Sequence, residues 1–307
     1  MAHFLRLLDS VSIGGGKDPV RLATAAALPA CTPAGAGVGH TLTGNSNGAL
    51  TVDGVAVAAS DRILVKDQVA ADDNRLTTRE MDWEPRPGRR YKGYNAAPAI
   101  VNRRGPSPII VVIHENRGLN DHIRDVTRRF ALAGFEALAP DWLSPAGGTP
   151  AGDEDRARTM IGQLDMAATV ADGAATIGWL GSGNGPHRKV GIVGFCWGGG
   201  LVDRLAIAAG ETLSAAVSYY GPAPAPEEAV RVRAPMLFHL AGLDNRVNGT
   251  ARPFAAAIQA AHGSATVIEH PNVDHAFNND TSAARYNREA ATQAWAQTLD
   301  FFRRHLR

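Results

Sequence analysis

Cysteine is nearly absent: 307 residues carry only Cys31 and Cys196. Two thiols cannot build a disulfide framework, and they lack the paired spacing of a zinc site. A reducing compartment suits both, so the expected location is cytoplasmic. An excess of either charge is lacking too. Thirty-one basic residues face thirty acidic ones, a formal net charge of +1, and no strong field points toward nucleic acid or an anionic membrane. No stretch approaches the roughly 18–20 continuous apolar residues of a membrane span. Residues 22–31 (LATAAALPAC) look faintly like a lipoprotein cleavage site. Their apolar core is short, Pro29 interrupts it, and Asp9 and Asp18 lie upstream, which argues against export. The expected partner is a small molecule, with no nucleic acid and no membrane, and the expected assembly is a monomer or homodimer.

What is present suffices for one large α/β domain plus an appendage, with 45% apolar and 20% charged residues. Residues 1–80 read as an N-terminal extension, partly disordered or a small β appendage. Gly14-Gly15-Gly16, residues 33–39 (PAGAGVG) and 43–48 (TGNSNG) are turn-forming punctuation without sustained periodicity. Residues 50–66 are better formed: Val52, Val55, Val57, Ile63 and Val65 flank Asp53-Gly54 and Ser60-Asp61, the pattern of short strands joined by turns. On that pattern, residues 20–76 weakly resemble the β-repeats of phage tail and capsid-decoration proteins.

Residues 81–307 read as the main domain. Residues 82–97 predict a β-hairpin turning at Pro87-Gly88, and residues 109–113 (IIVVI) a central strand covered on both faces. Leu119, Ile123, Val126 and Phe130 have helical spacing, with Gly134 as a stop. Further strands are expected at 135–139, 189–194, 215–220, 236–241 and 265–269. Helices are expected at 153–180, 201–209, 253–261 and 289–306, the last with Ala291, Trp295, Leu299, Phe302 and Leu306 on one stripe. Alternating strands and helices imply a doubly wound, mostly parallel sheet, with chemistry at the carboxyl ends of its strands.

The strongest local signal is Gly194-Phe195-Cys196-Trp197-Gly198-Gly199, between a strand and a helix. This is the pattern of the nucleophile elbow of α/β-hydrolases, with a thiol in place of the more usual hydroxyl. Side chains at Gly194 or Gly198 would collide with neighbouring backbone, and the helix N-terminus beside Cys196 favours a thiolate. In this fold the acid and then the histidine follow the nucleophile along the chain. His275, in the loop 272–279 (NVDHAFNN), fits the base; His270 in the same loop is the rival, and His239 reads as a packed core residue. Asp244, beyond the 236–241 strand, fits the acid that fixes the imidazole tautomer, whereas Asp274 reads as solvated. An oxyanion hole needs two backbone N–H groups, which nominates Trp197 and Asn116. Glu115, ending an apolar strand, is either a solvated loop carboxylate or a buried group near the thiol.

With those segments in hand, residues 111–141 (VVIHENRGLNDHIRDVTRRFALAGFEALAPD), VGFCWGGG, SYYG, LAGLDNRV and VDHAF, in that order, resemble the dienelactone hydrolase family over about two-thirds of the chain. The resemblance implies Cys196, Asp244 and His275 as triad. It also implies that Glu115 holds the resting cysteine inactive until substrate displaces it. Candidate substrate contacts are Arg117, Trp142, Arg158, Tyr220 and Phe277, and no metal or organic cofactor is implied. Two family arginines that bind a substrate carboxylate fall at about Asn279 and near Glu154, with Arg156 and Arg158 close by, so dienelactone itself is a poor fit. The expected substrate is an ester or lactone. An activated phosphotriester is the alternative for the same site, and a non-catalytic binding protein of this fold is the alternative of another class.

Overall fold

The computed structural model describes residues 75–99, 107–182 and 187–306, together with short strands between residues 11 and 65. The chain divides into two compact units, residues 1–70 with 280–284 and residues 71–279 with 285–307. In the first unit, Arg62–Val65 pairs with Val11–Ser12 and Leu22–Thr24, Cys31–Ala34 with Thr41–Gly44, and Thr51–Val52 with Val55–Ala56. Strands are thus present within 50–66. Residues 33–34 and 43–44 of two glycine-rich runs fall in the paired strands Cys31–Ala34 and Thr41–Gly44; the rest of those runs, and the turns expected at Asp53-Gly54 and Ser60-Asp61, lie outside the described residues.

The second unit is built on one eight-stranded sheet: β1 (Leu76–Arg86), β2 (Arg89–Pro98), β3 (Ile109–Ile113), β4 (Glu136–Pro140), β5 (Val190–Phe195), β6 (Ala215–Tyr219), β7 (Met236–Ala241) and β8 (Ala265–His270), in the spatial order β8-β7-β6-β5-β3-β4-β2-β1. From β4 to β8 all pairings are parallel, while the β1–β2 hairpin adds antiparallel at the β4 edge. Every residue of β3, β5, β6 and β7 is buried, as their near-continuous apolar sequences require. Each aliphatic side chain so covered contributes about 1.5–3 kcal/mol. The sheet is the doubly wound, mostly parallel one expected.

The helices are α1 (Asp121–Leu132), α2 (Glu154–Gly162), α3 (Met166–Ser182), α4 (Trp197–Ala208), α5 (Asn245–Ala260) and α6 (Arg288–Leu306). Helix α4 starts at Trp197, four residues before the expected 201, and two further regions differ from expectation. The single helix predicted over 153–180 is broken into α2 and α3. Asp153 caps one by accepting the Arg156 N–H, and Asp165 accepts the Ala168 N–H ahead of the other, so a second capping aspartate stops and restarts what periodicity alone joins. Helix α5 begins eight residues before the predicted start. Asp244 caps it, and Pro253 lies inside it. The hairpin also extends further than 82–97, since β1 starts at Leu76, inside the segment 1–80 expected to be an appendage. Buried Asp172 of α3 accepts from Arg86 (2.6 Å), Arg89 (2.8 Å) and Tyr91 (2.8 Å), locking the hairpin to the helix.

Candidate active site

At the carboxyl end of β5 the backbone of Cys196 adopts φ 56°, ψ −115°, a strained conformation for a non-glycine residue, before α4 begins at Trp197. Its N–H donates to the Tyr219 carbonyl (3.0 Å) and its carbonyl accepts from Gly200 (3.1 Å). A Cβ on Gly194 would run into the Gly198 carbonyl, and one on Gly198 would come within 2.5 Å of the His114 carbonyl oxygen. The turn therefore admits no side chain at either position.

The helix N-terminus beside Cys196, expected to favour a thiolate, is opposed by two stronger influences. Burial and then the Glu115 carboxylate push the Cys196 thiol up to about 11, against which the Trp197 N–H and the Arg246 guanidinium pull incompletely. The helix N-terminus does favour the anion, but desolvation and a neighbouring negative charge outweigh it. Cys196 rests as a thiol.

His275 and Asp244 meet as expected. Nδ1 of the imidazole is 2.6 Å from Oδ2 of Asp244, and the other oxygen of Asp244 accepts the Val247 N–H (3.2 Å) while capping α5. The carboxylate is thus fixed from two sides, and it orients the ring with Nδ1–H inward and Nε2 left over. Asp274 is exposed; it accepts the His275 N–H (2.7 Å) and pairs with Arg285 (3.3 Å). The rival His270 lies 3.0 Å from His239 in a buried chain away from Asp244.

Glu115 is buried, which resolves the two readings of it. Its carboxylate accepts from Asn279 Nδ2 (2.7 Å) and, at a long 3.5 Å, from the Tyr220 hydroxyl. Burial and the nearby Glu115 hold the Tyr220 phenol well above its usual range, so it stays a donor. The Tyr220 ring stands 5.1 Å from the His275 ring and 5.4 Å from Phe277. Cys196, Glu115, Asp244, His275, Tyr220 and Phe277 therefore belong to one neighbourhood.

Three of the candidate substrate contacts are otherwise engaged. Arg117 is ion-paired with Glu154. Arg158 is exposed on α2 and paired with Asp155 (3.3 Å). Trp142 is 1% exposed, its ring edge-on to Tyr91 within the core. A cavity of about 510 Å³ on α2 is lined by Ala146, Arg156, Thr159, Met160 and Gln163, none of them triad candidates.

Sequence reasoning missed His114. Its Nδ1–H donates to the Glu115 carbonyl (2.7 Å), its Nε2 accepts the Trp142 N–H (3.2 Å), and burial keeps it neutral. The ring stacks on Trp197 at 5.5 Å, joining the loop after β3 to the turn after β5. It also missed Asn279 as the partner of Glu115. An asparagine in a polar loop carries no signal that it reaches a carboxylate 164 residues away. Among the described residues, no group of three or more His, Cys, Asp or Glu could hold a metal, and no helix is long and apolar enough to cross a membrane.

Residues 92–306 match the model of the dienelactone hydrolase family. A protein of Escherichia coli O157:H7 assigned as a carboxymethylenebutenolidase is 31% identical over 235 residues, covering 72% of this chain and 85% of its own. A Synechocystis protein of the same assignment is 33% identical, covering 70% and 92%. Among solved structures, a Klebsiella pneumoniae protein assigned as a dienelactone hydrolase superposes with a TM-score of 0.66 at 29% identity, over 74% of this chain and 98% of its own. A dienelactone hydrolase-like promiscuous phosphotriesterase from metagenomic libraries does so with 0.65 at 24% identity, over 76% and 100%. None of these relatives supports the likeness of residues 20–76 to phage β-repeats. The sheet order, the strained turn at Cys196 and these matches agree: the chain belongs to the dienelactone hydrolase family and is a hydrolase of the α/β-hydrolase fold.

Proposed function

We propose that the protein hydrolyses carboxylic esters or lactones through a covalent intermediate on Cys196, with His275 as base and Asp244 as its orienting acid. The observation that carries this reading is the 2.6 Å contact between His275 Nδ1 and the doubly anchored Asp244, in a site where Glu115, Arg246 and Asp244 all act on the Cys196 thiol. An imidazole held this way presents Nε2 as a proton acceptor and is stabilised once charged.

Because the resting group is a thiol, the first event is its deprotonation. Substrate that shifts Glu115 away from Cys196 removes a charge opposing the thiolate, and His275 takes the proton. Sulfur attacks the carbonyl carbon, and the tetrahedral oxyanion is held by the backbone N–H groups of Trp197 and Asn116. The intermediate collapses to a thioester as the carbon–oxygen bond breaks and His275 returns its proton to the leaving alkoxide. Water then gives a proton to His275 and its oxygen to the acyl carbon, releasing the acid and restoring the thiol. In a lactone the leaving alkoxide remains tethered to the acyl group, so one ring-opened product results. Tyr220 stands beside the imidazole and packs on Phe277, both rings buried in the resting site. Arg117, tied to Glu154, is available to substrate only if that pair opens.

Activated phosphotriesters are the second substrate class, suggested by the metagenomic relative named for that activity. Turnover of matched aryl esters and aryl phosphotriesters, with Cys196→Ala and Cys196→Ser beside the parent, separates these readings. Ester turnover abolished in the alanine variant, with an acyl mass adduct on Cys196 of the parent, is the expected result. Undiminished turnover by Cys196→Ala would end the covalent mechanism. Ligand binding without turnover by the parent would favour a binding protein. A panel turned over only at phosphorus would move the assignment to phosphotriesters.

A further inference from the structure

Four polar side chains form a buried chain behind the site. Tyr219 OH is 2.7 Å from Thr298 Oγ1, which is 3.1 Å from His239 Nε2; His239 Nδ1 is 3.0 Å from His270 Nε2. Tyr219, His239 and Thr298 are wholly buried and His270 nearly so. Burial lowers both imidazoles, with repulsion from His270 adding at His239, so both are neutral. Donors and acceptors then close in either of two directions. If His239 Nδ1–H donates to His270, His239 Nε2 accepts the Thr298 hydroxyl, which accepts from Tyr219. If His270 Nε2–H donates to His239, His239 Nε2–H donates to Thr298 and the two hydroxyls share the remaining bond.

Polar groups at such depth cost stability unless fully paired, and when paired they fix relative positions more sharply than apolar contacts do. What this chain fixes is specific. Tyr219 ends β6, its carbonyl accepts the Cys196 N–H, and its neighbour Tyr220 contacts Glu115 and His275. His239 lies on β7, five residues before Asp244. His270 ends β8, five residues before His275, and its ring packs on Phe277 at 4.8 Å. Thr298 ties β6 and β7 directly to α6, and β8 joins through the His239–His270 contact.

We propose that His239 is a positioning residue, the centre of a buried polar chain that sets the spacing of the three strand ends carrying the seat of Cys196, Asp244 and the His275 loop. This rests on the Cys-His-Asp reading, since it assigns what holds those three groups in register. Replacing His239 with leucine leaves the Thr298 hydroxyl with Tyr219 alone and the His270 nitrogen without its partner on β7, and lets β7 and β8 adjust independently. A displacement of about 1 Å in such a constellation costs on the order of 100-fold in rate.

The test compares His239→Leu, His239→Gln and Thr298→Val with the parent and with Leu237→Ala, a core truncation on the same strand. Readouts are kcat, KM, thermal midpoint and the downfield NMR resonance of the His275 Nδ1–H proton shared with Asp244. The expected result is a kcat loss of about 10- to 100-fold in His239→Leu and Thr298→Val with KM within about twofold, together with a shifted or broadened resonance. Glutamine, which keeps a donor and an acceptor, recovers most of the rate. Leu237→Ala loses thermal stability but keeps both kcat and the resonance. If kcat falls only as the folded fraction falls, or if His239→Leu leaves the resonance unmoved, the positioning role is refuted. The NMR readout needs no turnover, so it reports on positioning even if Cys196→Ala shows the covalent reading to be wrong.

Discussion

At the scale of single residues, the Cys196 thiol feels opposed charges, Glu115 and more weakly Asp244 against Arg246. Glu115 disfavours the thiolate and Arg246, in the first turn of α5, favours it, while burial dominates both. Neutralising Glu115 as Glu115→Gln therefore lowers the thiol's pKa, and Arg246→Gln raises it. Alkylation by iodoacetamide requires the thiolate. At a fixed pH below the thiol's value of about 11, Glu115→Gln is expected to react severalfold faster than the parent and Arg246→Gln severalfold slower. Rates followed from pH 7 to about 11 check this, because the curves must shift along the pH axis and the advantage of Glu115→Gln must narrow at the alkaline end as its thiol approaches full ionisation. Variants that differ by the same factor at every pH would instead report altered access to the sulfur. The comparison also bears on how the site is activated, since a thiol released by removing one charge is one that substrate can release by displacing it.

Between elements, α4 carries an unusual burden where it packs beneath the turn at Cys196. Asp203 is wholly buried, its oxygens lack well-formed partners, and desolvation pushes it up to about 8, with Ser218 and Arg204 offsetting only part of this. The folded protein thus holds a proton that the unfolded chain gives up above about pH 4. Between those values the unfolded state binds fewer protons, so the stability present in acid is lost progressively as pH rises through about 8. Asp203→Asn removes this slope and is expected to be more stable than the parent at pH 8, by on the order of a few kcal/mol, with the difference shrinking toward pH 5. Urea unfolding at both pH values decides it; parallel pH dependence in the two proteins would contradict it. Nothing in the sequence around Asp203 signals such a group, because a lone aspartate in VDRLA reads as a solvated helix position. By contrast, the succession of strands along the chain and the places of Cys196, Asp244 and His275 beyond strand ends were legible. Cys196 and Asp244 lie just past the apolar runs VGIVGF and MLFHLA, which with IIVVI leave little choice of structure, whereas His275 follows the mixed strand ATVIEH. What stayed hidden were contacts between distant loops, such as Asn279 with Glu115, and the stop between α2 and α3, which depends on a capping side chain rather than on periodicity.

For the whole molecule, the question is where the catalytic unit begins. Composition changes near Met81, yet β1 starts at Leu76, and Leu76 to Glu80 pair with Pro98 to Tyr94 of β2. The compact unit itself begins at Ala71. That hairpin is joined to the sheet through β2 and β4 and clamped to α3 by Asp172, while Trp83 donates to Thr176 (3.0 Å). A protein starting at Ala71 keeps every one of these bonds. One starting at Met81 loses five ladder residues and the buried Leu76 side chain, which alone contributes about 1.5–3 kcal/mol. Removal of residues 1–70 is therefore expected to leave the thermal midpoint and ester turnover close to those of the full chain, whereas removal of residues 1–80 lowers the midpoint by several degrees. Calorimetry and kcat/KM on the two truncated proteins check the order. If the shorter truncation already unfolds or precipitates, the first seventy residues cover part of the catalytic unit or join two copies of it. If both truncations match the full chain, the outer half of β1 contributes nothing to the sheet, and the working unit begins where the composition changes.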